Sequence, residues 1–164
     1  MFRRFLNLLG FIACTALLGY AYYLQYAQGL VPCPLCILQR IFMACLGLLF
    51  LFATIQDAGR WGNRLYGLLM ILVGFLGASV AMRQIWIQYF TSQPPTSCAA
   101  GFGWMFRHLP PIEALQLTLA GSGSCAAIPW TFLGLSMPVW VFIAFVLLAS
   151  IGSWVNFKAA RKTA

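Results

Sequence analysis

Four apolar runs, each close to the length needed to cross a lipid bilayer, dominate this sequence. They cover roughly Leu6 to Leu24, Leu35 to Ile55, Leu65 to Phe90 and Met137 to Phe157. A hydrocarbon core ~30 Å thick requires an α-helix of about 20 residues. Backbone N–H and C=O groups find no water there, so helices, which satisfy them internally, are the expected form. Only 7% of the residues are charged and 62% are hydrophobic, too little polar surface for a water-soluble globule. The expectation is an all-α integral membrane protein. It is a single domain over residues 1–164, a four-transmembrane-helix bundle with a long loop between the third and fourth spans. In the third span Gly67, Gly74, Ala78 and Ala81 offer a small-residue face suited to close helix contact.

The charges orient the bundle. Arg3 and Arg4 precede the first span, Arg60 and Arg64 join the second to the third, and Lys158, Arg161 and Lys162 follow the fourth. The other side carries only Arg107, in the segment from Thr91 to Ser136. The positive-inside rule then places both termini and the short connection in the cytoplasm, and the two cysteine-bearing loops outside. Disulfides persist there. The net charge of +8 is thus clustered beside apolar runs and forms no basic patch interleaved with aromatics, so nucleic acid is not an expected partner. The start also admits a cleaved signal peptide or, at Phe11-Ile12-Ala13-Cys14, a lipoprotein cleavage box. The apolar stretch is long for the first, and Phe11 fits the second poorly.

The six cysteines fall into three classes. Cys33 and Cys36 form a CxxC where an outer loop enters the second span. Such a motif is a redox pair, half of a zinc site or a coincidence. Zinc would need about two more ligands. The only histidine is His108 and there is no second CxxC, so no metal is expected. At a helix start the free N–H groups and the dipole stabilise a thiolate, and Pro34 suits a first turn because it lacks an N–H. Cys98 and Cys125 lie in the long loop, as a structural staple or as a second redox pair able to exchange with the first. Cys14 and Cys45 sit inside spans and read as small apolar residues.

Arg40 follows Cys36 by four residues, the same helix face about 6 Å along the axis. A cation there favours a thiolate and polarises an acceptor's carbonyl oxygen. An ionisable residue inside a span points to function, although a snorkelling arginine is the plainer reading. Arg83 reads as an anchor near the end of the third span. Asp57 and Glu113, the only acids, are too far apart in sequence to suggest paired-carboxylate hydrolysis. In the loop, Ile112, Leu115 and Leu119 share one face of a short helix that lies on the membrane surface or packs as a loop element. His108 reads as a surface residue. Trp61, Trp86, Trp130 and Trp154 lie near span ends, as interfacial belts do.

These features together resemble the disulfide-bond formation protein B (DsbB) family of bacterial inner membranes. The resemblance covers essentially the whole chain. Its most specific parts are Pro32-Cys33-Pro34-Leu35-Cys36 with Arg40, and Ser124-Cys125 followed by Trp130 and Phe132-Leu133-Gly134-Leu135-Ser136-Met137-Pro138. The resemblance implies an enzyme, a protein-dithiol:quinone oxidoreductase. It would reoxidise a soluble periplasmic thioredoxin-fold oxidant (DsbA-like) and pass the electrons to membrane quinone, ubiquinone being the expected one. By resemblance, Cys98 and Cys125 meet the partner, Cys98 in a mixed disulfide. Cys33 and Cys36 lie beside the quinone, with Arg40 and Met137 at its site. The chain departs from well-known members in having Gln39 where an acidic residue can occur, and no histidine near the outer end of the third span. Two other readings are a vitamin K epoxide reductase-like quinone reductase and a non-catalytic scaffold stapled by disulfides. A staple needs no Arg40, and the chain is too short for a fused thioredoxin-like domain.

Overall fold

A computed structural model describes residues 2–29, 32–56, 59–90, 107–120, 125 and 130–162. Four long helices carry the fold: α1 (Phe2–Ala27), α2 (Pro34–Ile55), α3 (Arg60–Phe90) and α5 (Met137–Lys162). A short helix, α4 (Pro111–Ala120), and a hairpin of β1 (Thr131–Phe132) and β2 (Leu135–Ser136) stand between α3 and α5. All four long helices are apolar and long enough to cross a membrane. Each extends beyond the apolar run that announces it, except for α2, where Cys33 caps the start and Pro34 occupies the first turn. At 1.5 Å per residue, the 31-residue α3 is about 46 Å long and outreaches the hydrocarbon core.

Small residues bring the helices together. Gly67, Gly74, Ala78 and Ala81 are buried in α3, and Gly77 joins them. A Cβ at Gly74 would collide with that of Ala149, and one at Gly77 with the Phe145 ring. The most extensive helix pairing is accordingly α3 with α5, followed by α1 with α2 and α2 with α3. Phe50 projects from α2 into the centre, where Gly10 of α1 and Gly152 of α5 leave room for its ring. Around it lie Cys14, Met43, Leu46, Met70 and Phe145. Lipid tails are as apolar as this core, so close packing and interhelical hydrogen bonds must hold the bundle. Asn156 of α5 supplies one such bond, donating to Asn7 Oδ1 of α1 at 3.1 Å.

The outside is apolar too. Leu68, Leu72 and Phe75 of α3, with Leu147 and Ile151 of α5, are exposed. Cys45 belongs to this outer surface: it is exposed, whereas Cys14 is buried in the core. The two span cysteines therefore differ in surroundings, because α2 turns Cys45 away from the face that carries Met43, Leu46 and Phe50. On α4, Ile112, Leu115, Leu117 and Leu119 are exposed and Thr118 is buried. Arg83 ties α3 to this helix, donating from Nε to the Leu119 carbonyl at 3.1 Å. His108 is exposed.

The hairpin turns through Leu133 and Gly134, both with positive φ, at +52° and +78°. Two positive φ values at the central positions are those of a type I′ turn, which matches the twist of paired strands. Leucine rarely adopts this conformation. Trp140 of α5 fixes the hairpin by donating its indole N–H to the Phe132 carbonyl at 3.1 Å, and Trp130 stacks on the Phe132 ring.

Candidate functional site

The head of α2 builds the site. Cys33, at the N-cap, accepts the backbone N–H of Cys36 at 3.4 Å. This places the two sulfurs 3.0 Å apart as free thiols, close enough for a disulfide to form with little motion. Cys33 is buried and Cys36 half-buried. Cys125 is fully buried in the same small cluster, with Cys33, Leu35, Val80 and Ile87. A hydrogen bond with Cys125 is the largest influence pushing the Cys33 thiol up from its ordinary value; the bond to Cys36 and burial act in the same direction. Cys33 thus has a sulfur neighbour on either side. Cys98 lies outside the described residues.

Arg40 is one turn further along α2. Its guanidinium donates to Gln25 Oε1 and, at 3.1 Å, to the Ala21 carbonyl, both on α1. Its carbon lies 4.9 Å from the centre of the Tyr22 ring. These contacts hold the cation between α1 and α2 and leave part of its five-donor fork for another acceptor. A half-buried arginine in such a cradle is placed, where a snorkelling one would reach for water.

A cavity of about 450 Å³ opens beside these groups. Leu17, Leu18 and Leu24 of α1 and Val141, Ala144 and Leu147 of α5 supply apolar walls. Cys33, Cys36, Arg40, Gln25, Gln39 and Gln84 supply its polar part, and Trp130, Phe132 and Met137 also line it. An apolar chamber with a few converging polar groups is the usual form of a small-molecule site. The donor set suits an apolar ring bearing carbonyl oxygens: N–H donors at one part of the wall and hydrocarbon elsewhere. Of the residues singled out from the sequence, Cys33, Cys36, Arg40 and Met137 all line this one space, with Cys125 packed behind Cys33.

The sequence marks Gln39 only as a departure from the family, and Gln84 and Gln88 draw no notice there. Gln84 reaches both sulfurs and Gln39, and Gln88 lines the cavity one turn later. Their signal was present: Gln84 and Gln88 are four apart near the end of the third apolar run, hence on one helix face, and amides inside a span must find partners.

The chain is similar to known proteins along nearly its whole length. Residues 3–155 match the family described as Disulfide bond formation protein DsbB. A disulfide bond formation protein B from Xylella fastidiosa strain Temecula1 is 43% identical over 156 residues, covering 94% of this chain and 90% of the relative. Another from Methylococcus capsulatus is 44% identical over 151 residues, with 91% and 92% covered. One from Saccharophagus degradans is 41% identical over 150 residues, with 92% and 90% covered. With four apolar helices, a CxxC at the head of the second and a match along nearly its whole length, this multi-pass membrane protein belongs to the disulfide bond formation protein B (DsbB) family.

Proposed function

We propose that this chain reoxidises a periplasmic DsbA-like thioredoxin-fold dithiol and relays the electrons through two cysteine pairs to membrane quinone, with ubiquinone as the quinone used. The observation that carries the reading is a juxtaposition: Cys125 lies against Cys33, while Cys36 and Arg40 line the apolar cavity. A staple in the loop gives no reason for either feature.

The chemistry follows from where each partner can go. A water-soluble protein cannot enter the bilayer and meets the Cys98–Cys125 disulfide in the loop. Its thiolate attacks Cys98, forming a mixed disulfide and releasing Cys125 as a thiolate. Cys125 attacks Cys33 of the Cys33–Cys36 disulfide, so that a Cys33–Cys125 bond forms and Cys36 leaves as a thiolate. The partner's second thiol resolves the mixed disulfide and frees Cys98. Cys98 then attacks Cys125, restoring the loop disulfide and leaving Cys33 and Cys36 reduced. The partner has lost two electrons and two protons, and the Cys33–Cys36 pair has gained them. Quinone, when bound, supplies the acceptor for both. Arg40 and Met137 line the space that would hold it; there Arg40 would donate to a carbonyl oxygen and serve as counter-charge to a Cys36 thiolate. The family match supports placement in a bacterial inner membrane, and the charge distribution supports an orientation with both termini in the cytoplasm and the cysteine loops in the periplasm.

The test is purification in detergent. The expected result is co-purified quinone, mainly ubiquinone, and turnover of a reduced thioredoxin-fold partner that stops in Cys36→Ser. A protein that binds no quinone and oxidises no dithiol when quinone is added contradicts the proposal.

A further inference from the structure

We infer that Gln39 and Gln84 act as a neutral amide pair that stabilises the reduced form of the Cys33–Cys36 couple and so raises its reduction potential. Both side chains are almost wholly buried, exposed by 5% and 3%. A buried amide is costly unless its donors and acceptor are matched. Gln39 Nε2 donates to Gln84 Oε1 at 2.8 Å. With its carbonyl engaged there, Gln84 presents its NH₂ group to the sulfurs, at 3.3 Å from Cys36 Sγ and 3.6 Å from Cys33 Sγ. The same carbonyl lies 3.6 Å from Cys36 Sγ, within reach of its thiol proton. Gln84 therefore touches the reacting atoms, and Gln39 is a positioning residue that sets which end of the Gln84 amide faces them.

The direction of the effect follows from charge. Disulfide sulfur is a weak acceptor. Opening the bond leaves negative charge on sulfur, and an N–H bond to an anion is roughly twice as strong as one to a neutral acceptor. The pair thus favours the reduced state, which raises the potential of a dithiol couple. An amide does not titrate, so this contribution changes with pH only through the protonation of the cysteine sulfurs. Among the described residues, the titratable groups facing the pair are Cys33 at the cap of α2, Cys36 of α2 and, packed against Cys33, Cys125, and Arg40 lines the same cavity.

The inference rests on the proposed redox role of Cys33–Cys36, and the experiment separates the two. The full chain with Cys98→Ser and Cys125→Ser is purified in detergent and equilibrated with graded dithiothreitol redox buffers. It is then quenched by alkylation and read by mass spectrometry. Gln84→Leu should shift the equilibrium towards the disulfide about tenfold, which is about 30 mV for a two-electron couple. Gln39→Leu should shift it the same way by less, and serves if the Gln84 variant does not fold. Gln39→Glu should match the parent at low pH, where the protonated acid still donates to Gln84. At higher pH, where the carboxylate draws in the Gln84 NH₂, it should fall below the parent. Potentials unchanged within twofold in the foldable variants overturn the inference and leave the functional proposal intact. Failure of the parent to form a Cys33–Cys36 disulfide in any buffer overturns the functional proposal itself.

Discussion

Cys125 is buried against Cys33 in one small apolar cluster, although the two come from different segments between spans. The relay needs this contact, because electrons cross between the cysteine pairs only if these sulfurs can bond. A Cys36→Ser, Cys98→Ser variant leaves Cys33 and Cys125 without their usual partners. Mild oxidation should join them, and peptide mapping under non-reducing conditions should recover the crosslinked pair. Persistence of both as free thiols contradicts the relay.

Arg40 is cradled by Gln25, the Ala21 carbonyl and the Tyr22 ring beside the cavity that Cys36 lines. Arg40→Ala should raise the apparent KM for quinone by tenfold or so, as loss of a charge-assisted hydrogen bond implies, and slow reoxidation of Cys33–Cys36. Exchange of the loop pair with its partner should be unaffected. Arg40→Lys should be intermediate, since the planar fork is lost while the charge remains. Unchanged quinone kinetics in both variants would remove Arg40 from the site.

The span cysteines should be dispensable. Cys45 faces outward, and Cys45→Ala should be silent. Cys14 packs in the core, with its Cβ 3.2 Å from the position a Cβ would take on Gly47. Cys14→Ala should cost about 1 kcal/mol of stability and leave turnover within twofold. Loss of turnover at normal protein levels in either variant contradicts this.

Orientation is testable with reporter fusions. Residues near Gly59 should report a cytoplasmic location and those near Gly123 a periplasmic one, from the clustering of Arg and Lys on one side. A periplasmic signal at Gly59 would overturn the arrangement.

Hydropathy made the four helices legible, because a span must be continuous and apolar and nothing else in the chain competes with that signal. The small-residue face of α3 was legible for the same reason, though Gly77 became apparent only once Phe145 was seen to fill the space above it. Cys33, Cys36 and Arg40 could be read because one helix start holds all three. The meeting of Cys125 with Cys33 was legible only through the family resemblance, since no local spacing encodes how a loop folds back on a helix. Gln84 escaped, and Gln39 was read only as a departure from the family, because their meaning lies in a contact between two helices. The string Phe132 to Pro138 was legible only as a family motif; its hairpin was not, because leucine at Leu133 carries no preference for a positive-φ turn.

The order of attack is the central claim, and trapping tests it most directly. A Cys125→Ser variant mixed with the reduced partner should accumulate a covalent adduct through Cys98, because the resolving thiol is gone. A Cys98→Ser variant should accumulate none. If the partner instead crosslinks to Cys33 or Cys36 while the loop pair is intact, the two-pair relay is wrong and the loop disulfide is only a staple.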